Sequence, residues 1–313
     1  MKVMVTGAGG FVGEYLVNLL NQRQHDVVAV GMNNGIFLQK MNIRTYVVNI
    51  LDFNVLREIM HIERPDAVIH LAAVSNVPIA WKNPGLTVDV NIHGAVNVLQ
   101  ALHEVNANAK FINIGSSDEY GLAAKSGTAL TEEMACQPQN PYSISKYCSE
   151  QMLIQLGKKY SMNIVSTRSF NHYGPGQAKG FVISDFASQI VDIEMGLAKP
   201  EIAVGDISAA RDFTYVTDVV RAYVSLLEKK VDSGVYNVCS GKTMVIENVL
   251  KDMLSLAECN IKISQIKEKF RPAEVKYFAG NGNKLRNAIN WEPVYDYKQG
   301  LRDVLDYWRN KHK

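Results

Sequence analysis

The chain has 313 residues, 47% hydrophobic and 20% charged, with a net charge of +2 and four scattered cysteines. Such a composition carries enough apolar content for a full core, and the length suits two domains or one large α/β unit with an appendage. The charge makes no electrostatic case for a nucleic acid or an anionic membrane. Cys136, Cys148, Cys239 and Cys259 contain no C-x-x-C pair, so neither a disulfide frame nor a zinc site is indicated, and no apolar run reaches the roughly 18 residues that span a bilayer.

Met1-Lys2 leads directly into Val3-Met4-Val5-Thr6, a short apolar run that reads as a buried strand. No signal peptide is read there, and a reducing, cytoplasmic setting is expected. Gly7-Ala8-Gly9-Gly10-Phe11-Val12-Gly13 follows, then an amphipathic helix through Tyr15, Leu16, Leu19 and Leu20. The glycines at 7, 10 and 13 suit three jobs: a tight turn, close approach of backbone N–H groups to a pyrophosphate, and close packing of helix on strand. Their place between a strand and a helix makes this loop a dinucleotide-binding candidate.

The second strand, Val27-Val28-Ala29-Val30, ends in Gly31-Met32-Asn33-Asn34. An NAD site would usually place Asp or Glu about there, for the ribose 2′-hydroxyl. None is present, and Arg44 is the nearest candidate for a 2′-phosphate. The expectation is therefore NADP(H), with tolerance of NAD(H) left open. A third strand over 45–48 closes at Asn49-Ile50-Leu51-Asp52, a helix is read over 54–64, and a fourth strand over 67–71 ends in Ala72-Ala73. A long helix carries residues 91–102. His70 and His93 read as structural rather than ligating. A fifth strand over 110–114 runs into Gly115-Ser116-Ser117-Asp118-Glu119-Tyr120-Gly121. Alternation at this spacing argues an α/β fold with a doubly wound parallel sheet, in which hydroxyls and carboxylates at strand carboxyl ends are placed for chemistry.

The next helix carries the most chemistry. Asn140 is a good N-cap and Pro141 suits the first helical position. Tyr142 and Lys146 are four apart and share one face. A phenol titrates near pH ~10, and a fixed ammonium nearby would lower that value and favour proton exchange with a hydroxyl or carbonyl.

Gly7/Gly10/Gly13, His70-Leu71-Ala72-Ala73, the serine-rich turn ending in Tyr120-Gly121, and Tyr142-x-x-x-Lys146 occur in one order. Together they resemble the extended short-chain dehydrogenase/reductases that act on nucleotide sugars. The resemblance covers essentially the whole chain. It implies a Rossmann domain over 1–170, with strand and helix returns near 207–240, and a smaller lobe over 171–313 that binds nucleotide sugar. It implies that Tyr142 and Lys146 are catalytic, with a serine before the Tyr-Gly pair. Counting back from Tyr120 gives Ser116 and aligning on the Asp-Glu pair gives Ser117, with Ser116 preferred. Cofactor contacts are implied for Gly7, Gly10, Phe11, Val12, Gly13, Asn33, Asn49, Ile50, Leu71, Ala72, Ala73, Tyr142 and Lys146.

Further landmarks are Asn171 to Gln177, then Gly180-Phe181-Val182, then Arg211-Asp212-Phe213, then Arg271-Pro272-Ala273-Glu274. They imply substrate contacts for Asn171, Phe181, Val182, Arg211, Arg271 and Glu274, and for Asp118 and Glu119 in the earlier turn. An arginine suits a diphosphate because its guanidinium donates bidentate, charge-assisted bonds. The Arg271 segment is similar to that of the GDP-mannose branch. The serine turn and the 171–177 segment look most like its GDP-4-keto-6-deoxy-D-mannose reductases, which make GDP-D-rhamnose. The resemblance thus implies an NAD(P)H-dependent 4-ketoreductase acting on a GDP-sugar, and a homodimer built as a four-helix bundle from the helices at 91–102 and after Tyr142. The alternatives are a GDP-mannose 4,6-dehydratase or another sugar-nucleotide epimerase or dehydratase. A cofactor sensor without turnover is a third reading, disfavoured by the presence of both Tyr142 and Lys146.

Overall fold

Strands buried on both sides in the first half build one parallel sheet covered on both faces. The computed structural model describes residues 1–32, 36–266 and 275–311. Its first six strands are β1 (Lys2–Thr6), β2 (Asp26–Gly31), β3 (Arg44–Val47), β4 (Ala67–His70), β5 (Lys110–Ser116) and β6 (Ile164–Ser169). Between them lie α1 (Phe11–Gln22), α2 (Ile36–Lys40), α3 (Phe53–Glu63), α4 (Val77–Lys82), α5 (Pro84–Val88), α6 (Ala95–Val105) and α7 (Pro141–Tyr160). The second half adds β7 (Asn171–Tyr173), α8 (Val182–Glu194), β8 (Glu201–Val204), β9 (Ala210–Tyr215), α9 (Val216–Glu228) and β10 (Gly234–Val238). It ends with β11 (Thr243–Val245), α10 (Ile246–Leu254), β12 (Lys262–Gln265), β13 (Tyr277–Phe278), α11 (Asn283–Ile289) and α12 (Tyr297–Lys311).

The large sheet runs β3-β2-β1-β4-β5-β6-β10, every pair parallel. The order reverses between β1 and β4, so a crevice opens there at the strands' carboxyl ends. Alternate side chains feed opposite cores. Val3, Val5, Val27 and Ala29 join Leu16 and Leu20 of α1 and Val219 and Tyr223 of α9. Met4, Val28 and Val30 join Leu56 of α3, Leu99 of α6 and Leu153 of α7. Burying one such leucine is worth about 2 kcal/mol, more than helix propensity alone provides.

A third core belongs to the smaller lobe, where Ile183 and Ile190 of α8 meet Val249 of α10, Leu301 and Trp308 of α12, and Phe213 and Tyr215 of β9. The chain crosses between the lobes more than once. After α9 and β10 return to the sheet, α11 returns too, since Leu285, Ile289 and Trp291 pack in the core with α9.

The helix expected over 91–102 is longer and interrupted. Helical backbone runs from Pro84 to Val105, with a π turn at Asp89–Gly94 between α5 and α6. Such a turn inserts a residue into the ladder and re-aims side chains.

Candidate active site

At the turn from β1 to α1 the backbone makes the site. Gly7 has φ +71°, and a Cβ there would lie 2.8 Å from the Ala72 nitrogen. A Cβ on Gly13 would lie 2.5 Å from the Gly7 and Ala8 carbonyl oxygens. These two glycines close β1 against the end of β4 and α1 against β1. Gly10 precedes α1, and no side chain caps the helix. The N–H groups of Phe11, Val12 and Gly13 therefore open its first turn without a side-chain acceptor, an arrangement that suits a phosphate. A dinucleotide pyrophosphate fits this cradle. The Phe11 ring stacks on His172 (6.2 Å, 13°) and Val12 packs against the core, and both side chains stay partly exposed.

Leu71 follows β4, its N–H bonded to the Thr6 carbonyl, and Ala72 abuts Gly7. Ala73 continues this wall of the crevice. Asn49 is exposed at the carboxyl end of β3 and Ile50 is buried behind it, its carbonyl taking a bond from the Asn97 amide. Asn33 lies outside the described residues. The structure corrects the reading of Arg44. It opens β3, pairing with Val28 at the amino end, and its guanidinium binds Glu63 at 2.7 Å. At about 3.3 Å per residue, three residues separate it from the crevice side by roughly 10 Å. It is a structural ion pair.

Ser116 is the last residue of β5, and Ser117 to Tyr120 form one 3₁₀ turn. The turn is closed by a capping box. The Asp118 N–H donates to Ser116 Oγ at 3.2 Å, and the Ser116 N–H donates to Glu119 Oε1 at 2.7 Å. Accepting that bond leaves the Ser116 hydroxyl its own O–H to donate. It faces the Tyr142 phenol, while Ser117 is buried. The geometry therefore favours Ser116 over Ser117.

α7 brings Tyr142 and Lys146 to the same place. Its start is fixed by Pro141 and by a second box, Ser143 N–H to Asn140 Oδ1 at 2.9 Å and Asn140 N–H to Ser143 Oγ at 3.2 Å. Lys146 is buried and its Nζ donates to the Ile114 carbonyl at 2.7 Å. Burial pushes its pKa down to about 8, and the Glu119 carboxylate opposes that shift. The expectation that Lys146 holds the phenol low is not met. Burial raises Tyr142 well above the usual phenol range, the Asp118 carboxylate adds to the rise, and the first group to oppose it is the Ser116 hydroxyl. Tyr142 is thus held protonated.

Three supporting residues, Asn91, Ser145 and Thr6, escaped sequence reasoning. Asn91, on the π turn, accepts from the Val74 N–H at 2.7 Å and donates to the Val74 carbonyl and to Ser145 Oγ. Ser145 in turn donates to the Tyr142 carbonyl at 2.7 Å, so the crevice wall, the π turn and the start of α7 are tied together. The only sequence signal was an asparagine inside a helical pattern. Thr6 Oγ1 and His70 Nδ1 share a buried 2.7 Å bond, and burial pushes the imidazole down to about 3. His70 is neutral and structural, as its position in an apolar strand suggested.

Between the turn that Ser116 caps and the N-cap of α7 lies a pocket of about 180 Å³ lined by Asp118, Asn140, Asn171, Arg211 and Phe278 among others. Asn171 is placed by β7, which pairs with β9 opposite Phe213. Arg211 projects from β9, with its guanidinium 5.8 Å over the Phe278 ring. Burial pulls Arg211 below its usual value and Asp118 opposes this; burial raises Asp118 and Arg211 opposes that in turn. A cation and a carboxyl on one wall can hold and orient a polar, charged ligand. Phe181 is half-exposed just before α8, and Val182 leans on the small-lobe core. Arg271 and Glu274 lie outside the described residues. Glu119 is a further correction. Its side chain is fully buried below the turn and bonded to the Ser116 amide, so it does not line the pocket.

The family described as GDP-mannose 4,6 dehydratase matches residues 4–304. The GDP-6-deoxy-D-mannose reductase of Pseudomonas aeruginosa is 34% identical over 310 residues, covering 99% of this chain and 98% of the relative. The dTDP-glucose 4,6-dehydratase of Haemophilus influenzae is 28% identical, covering 98% of each. The solved structure of RMD from Pseudomonas aeruginosa complexed with NADPH superposes with a TM-score of 0.88 at 34% identity over 99% of both chains. The UDP-glucuronic acid 4-epimerase of Bacillus cereus, in complex with UDP-glucuronic acid and NAD, gives a TM-score of 0.88 at 25% identity, covering 99% of this chain and 100% of that one.

Proposed function

The chain belongs to the GDP-mannose 4,6 dehydratase family, and on that premise we propose that it reduces the C4 ketone of GDP-4-keto-6-deoxy-D-mannose to GDP-D-rhamnose, with NADP(H) as cofactor and NAD(H) as a possible substitute. The observation that carries this reading is the Ser116–Tyr142 pair. A serine whose oxygen already accepts the Asp118 amide faces a phenol that burial keeps protonated. Ketone reduction ends with a proton placed on a new alkoxide, so a protonated phenol is the resting state it needs. Ser116 donates a hydrogen bond to the ketone oxygen and stabilises the charge that develops there. Tyr142 then passes its proton to that oxygen.

The nicotinamide cofactor, when bound, supplies the hydride. The α1 N-terminus and its glycine loop would hold the pyrophosphate, and Lys146 the nicotinamide ribose. Arg211 and Asn171, together with Arg271 and Glu274, would bind the sugar diphosphate and nucleotide ribose. Burial disfavours the Arg211 cation, and a bound diphosphate would offset that cost.

A dehydratase reading is kept alive by Asp118, a pocket carboxyl raised by burial and felt by Tyr142. The two differ in redox stoichiometry. With the keto sugar, a reductase consumes one NADPH per product, read as falling nicotinamide absorbance against product by mass spectrometry. With GDP-mannose alone it is inert. Formation of the keto sugar from GDP-mannose without net cofactor change would replace this proposal with the dehydratase.

The same reading makes the protein a cytoplasmic homodimer. Trp81 and Ile79 of α4, Leu86 and Val88 of α5, and Ile144 and Met152 of α7 are exposed apolar side chains on adjacent helices. A helical bundle with a second copy would bury them.

A further inference from the structure

We propose that Asn140 is a substrate-contact residue, its side-chain amide nitrogen donating a hydrogen bond to a hydroxyl of the hexose while its side-chain oxygen caps α7. The inference rests on the reading of the pocket as the sugar-nucleotide site.

Every other polar atom of Asn140 is already engaged. Its N–H donates to Ser143 Oγ at 3.2 Å, and its carbonyl accepts from the Ile144 N–H at 2.9 Å and from Ser143 Oγ at 3.0 Å. Its Oδ1 accepts the Ser143 N–H at 2.9 Å. That bond also fixes which end of the amide is which, because only the oxygen can accept an N–H. Nδ2 is then a donor without a hydrogen-bond partner among the described residues. The side chain is half-buried and lines the pocket. Capping alone does not call for asparagine, since serine or aspartate caps a helix as well. Gln139, the neighbouring amide on the pocket wall, is spent locally, its Nε2 donating to the Gln137 and Pro138 carbonyls.

The surroundings select the acceptor. A diphosphate only accepts hydrogen bonds, whereas a sugar hydroxyl both donates and accepts. Arg211 and Phe278 come from β9 and β13, outside the large sheet, and the guanidinium there suits the diphosphate. Asp118 and Asn140 come from the two turns that carry the reacting groups, Asp118 two residues after Ser116 and Asn140 two before Tyr142. On this side the pocket offers a carboxyl acceptor and an amide donor, the two partners a hydroxyl takes. The hexose end of the ligand belongs here, beside the groups that act on its ketone, and Asn140 holds it there.

Two variants separate the contact from the cap. Asn140→Ser keeps a cap and removes the donor. Its melting temperature should match that of the wild type, while KM for the keto sugar nucleotide rises about fivefold, the worth of one neutral hydrogen bond, at unchanged kcat. Asn140→Ala removes cap and donor together, so melting temperature should fall and KM should rise. A fall in melting temperature with no rise in KM would make Asn140 a cap and nothing more, and overturns the proposal. Calorimetric titration of the NADPH-bound protein with GDP and with GDP-mannose reads the same contact without turnover. Asn140→Ser should weaken GDP-mannose about fivefold and leave GDP unchanged. Unaltered affinity for GDP-mannose overturns the proposal, and equal weakening of both ligands moves the contact to the nucleoside diphosphate and overturns it too. If the wild type fails to turn over the keto sugar, the proposed function fails, and the GDP-mannose titration still decides the role of Asn140. A wild type that binds neither ligand overturns the reading of the pocket and this inference with it.

Discussion

Helices α1 and α7 begin on either side of the same crevice and are built on opposite plans. α1 turns Leu16, Val17 and Leu20 into the core and leaves its first turn without a side-chain cap. α7 turns Ser143, Ser145, Lys146, Ser149 and Glu150 inward, with Leu153 and Gly157 the apolar exceptions, and its first turn is closed by Asn140 and Ser143. The hydrophobic effect holds α1, so its backbone N–H groups are free to bind an anion. Hydrogen bonds and paired charges hold α7, so its side chains, not its backbone, face the reacting centre. A helix anchored by polar contacts is more easily broken, because each partner removed leaves a buried polar group unpaired. The polar inner face is the cost of placing Tyr142 and Lys146 there.

Substitutions can test that contrast. The largest expected effect is on the α7 side. Tyr142→Phe should lower kcat by roughly 10²–10⁴-fold, the usual worth of a proton donor, with sugar and NADPH binding kept. A rate near that of the wild type, measured by NADPH oxidation, would take Tyr142 out of the chemistry.

Arg211→Ala should come next. It removes a charge-assisted contact from the pocket and should raise KM for the sugar nucleotide by roughly 100-fold, with a smaller change in kcat. A change in melting temperature without a change in KM would make Arg211 a purely structural residue.

The smallest effect belongs to the α1 side and divides its glycines. Gly13→Ala drives a Cβ to 2.5 Å from two carbonyl oxygens and should cost about 2 kcal/mol of stability in urea unfolding. At Gly10 an added Cβ meets only the Gly7 oxygen, at 3.3 Å, so Gly10→Ala should leave stability almost unchanged and weaken NADPH instead. Equal losses of stability in both would mean that the two positions are not doing separate jobs.

Much of this was legible in the chain itself, because the relevant signals are local. The spacing of Gly7, Gly10 and Gly13 follows from one turn and one helix start. Tyr142 and Lys146 share a face because a helix repeats every 3.6 residues. Strand and helix alternation over the first half dictated the parallel sheet, and Asn140-Pro141 marked the start of α7 to the residue.

Tertiary structure decided what rests on residues distant in sequence. Asn91 meets Ser145 across 54 residues, and Lys146 meets the Ile114 carbonyl across 32, so no local pattern announced either. Arg44 has the right chemistry for a 2′-phosphate and stands at the wrong end of its strand. Glu119, one residue beyond Asp118, points into the protein while its neighbour lines the pocket, because the 3₁₀ turn rotates successive side chains to different sides. The direction of the Tyr142 pKa shift was decided in the same way. Sequence spacing placed an ammonium near the phenol, but the balance between that ammonium and burial depends on how much water the folded chain excludes.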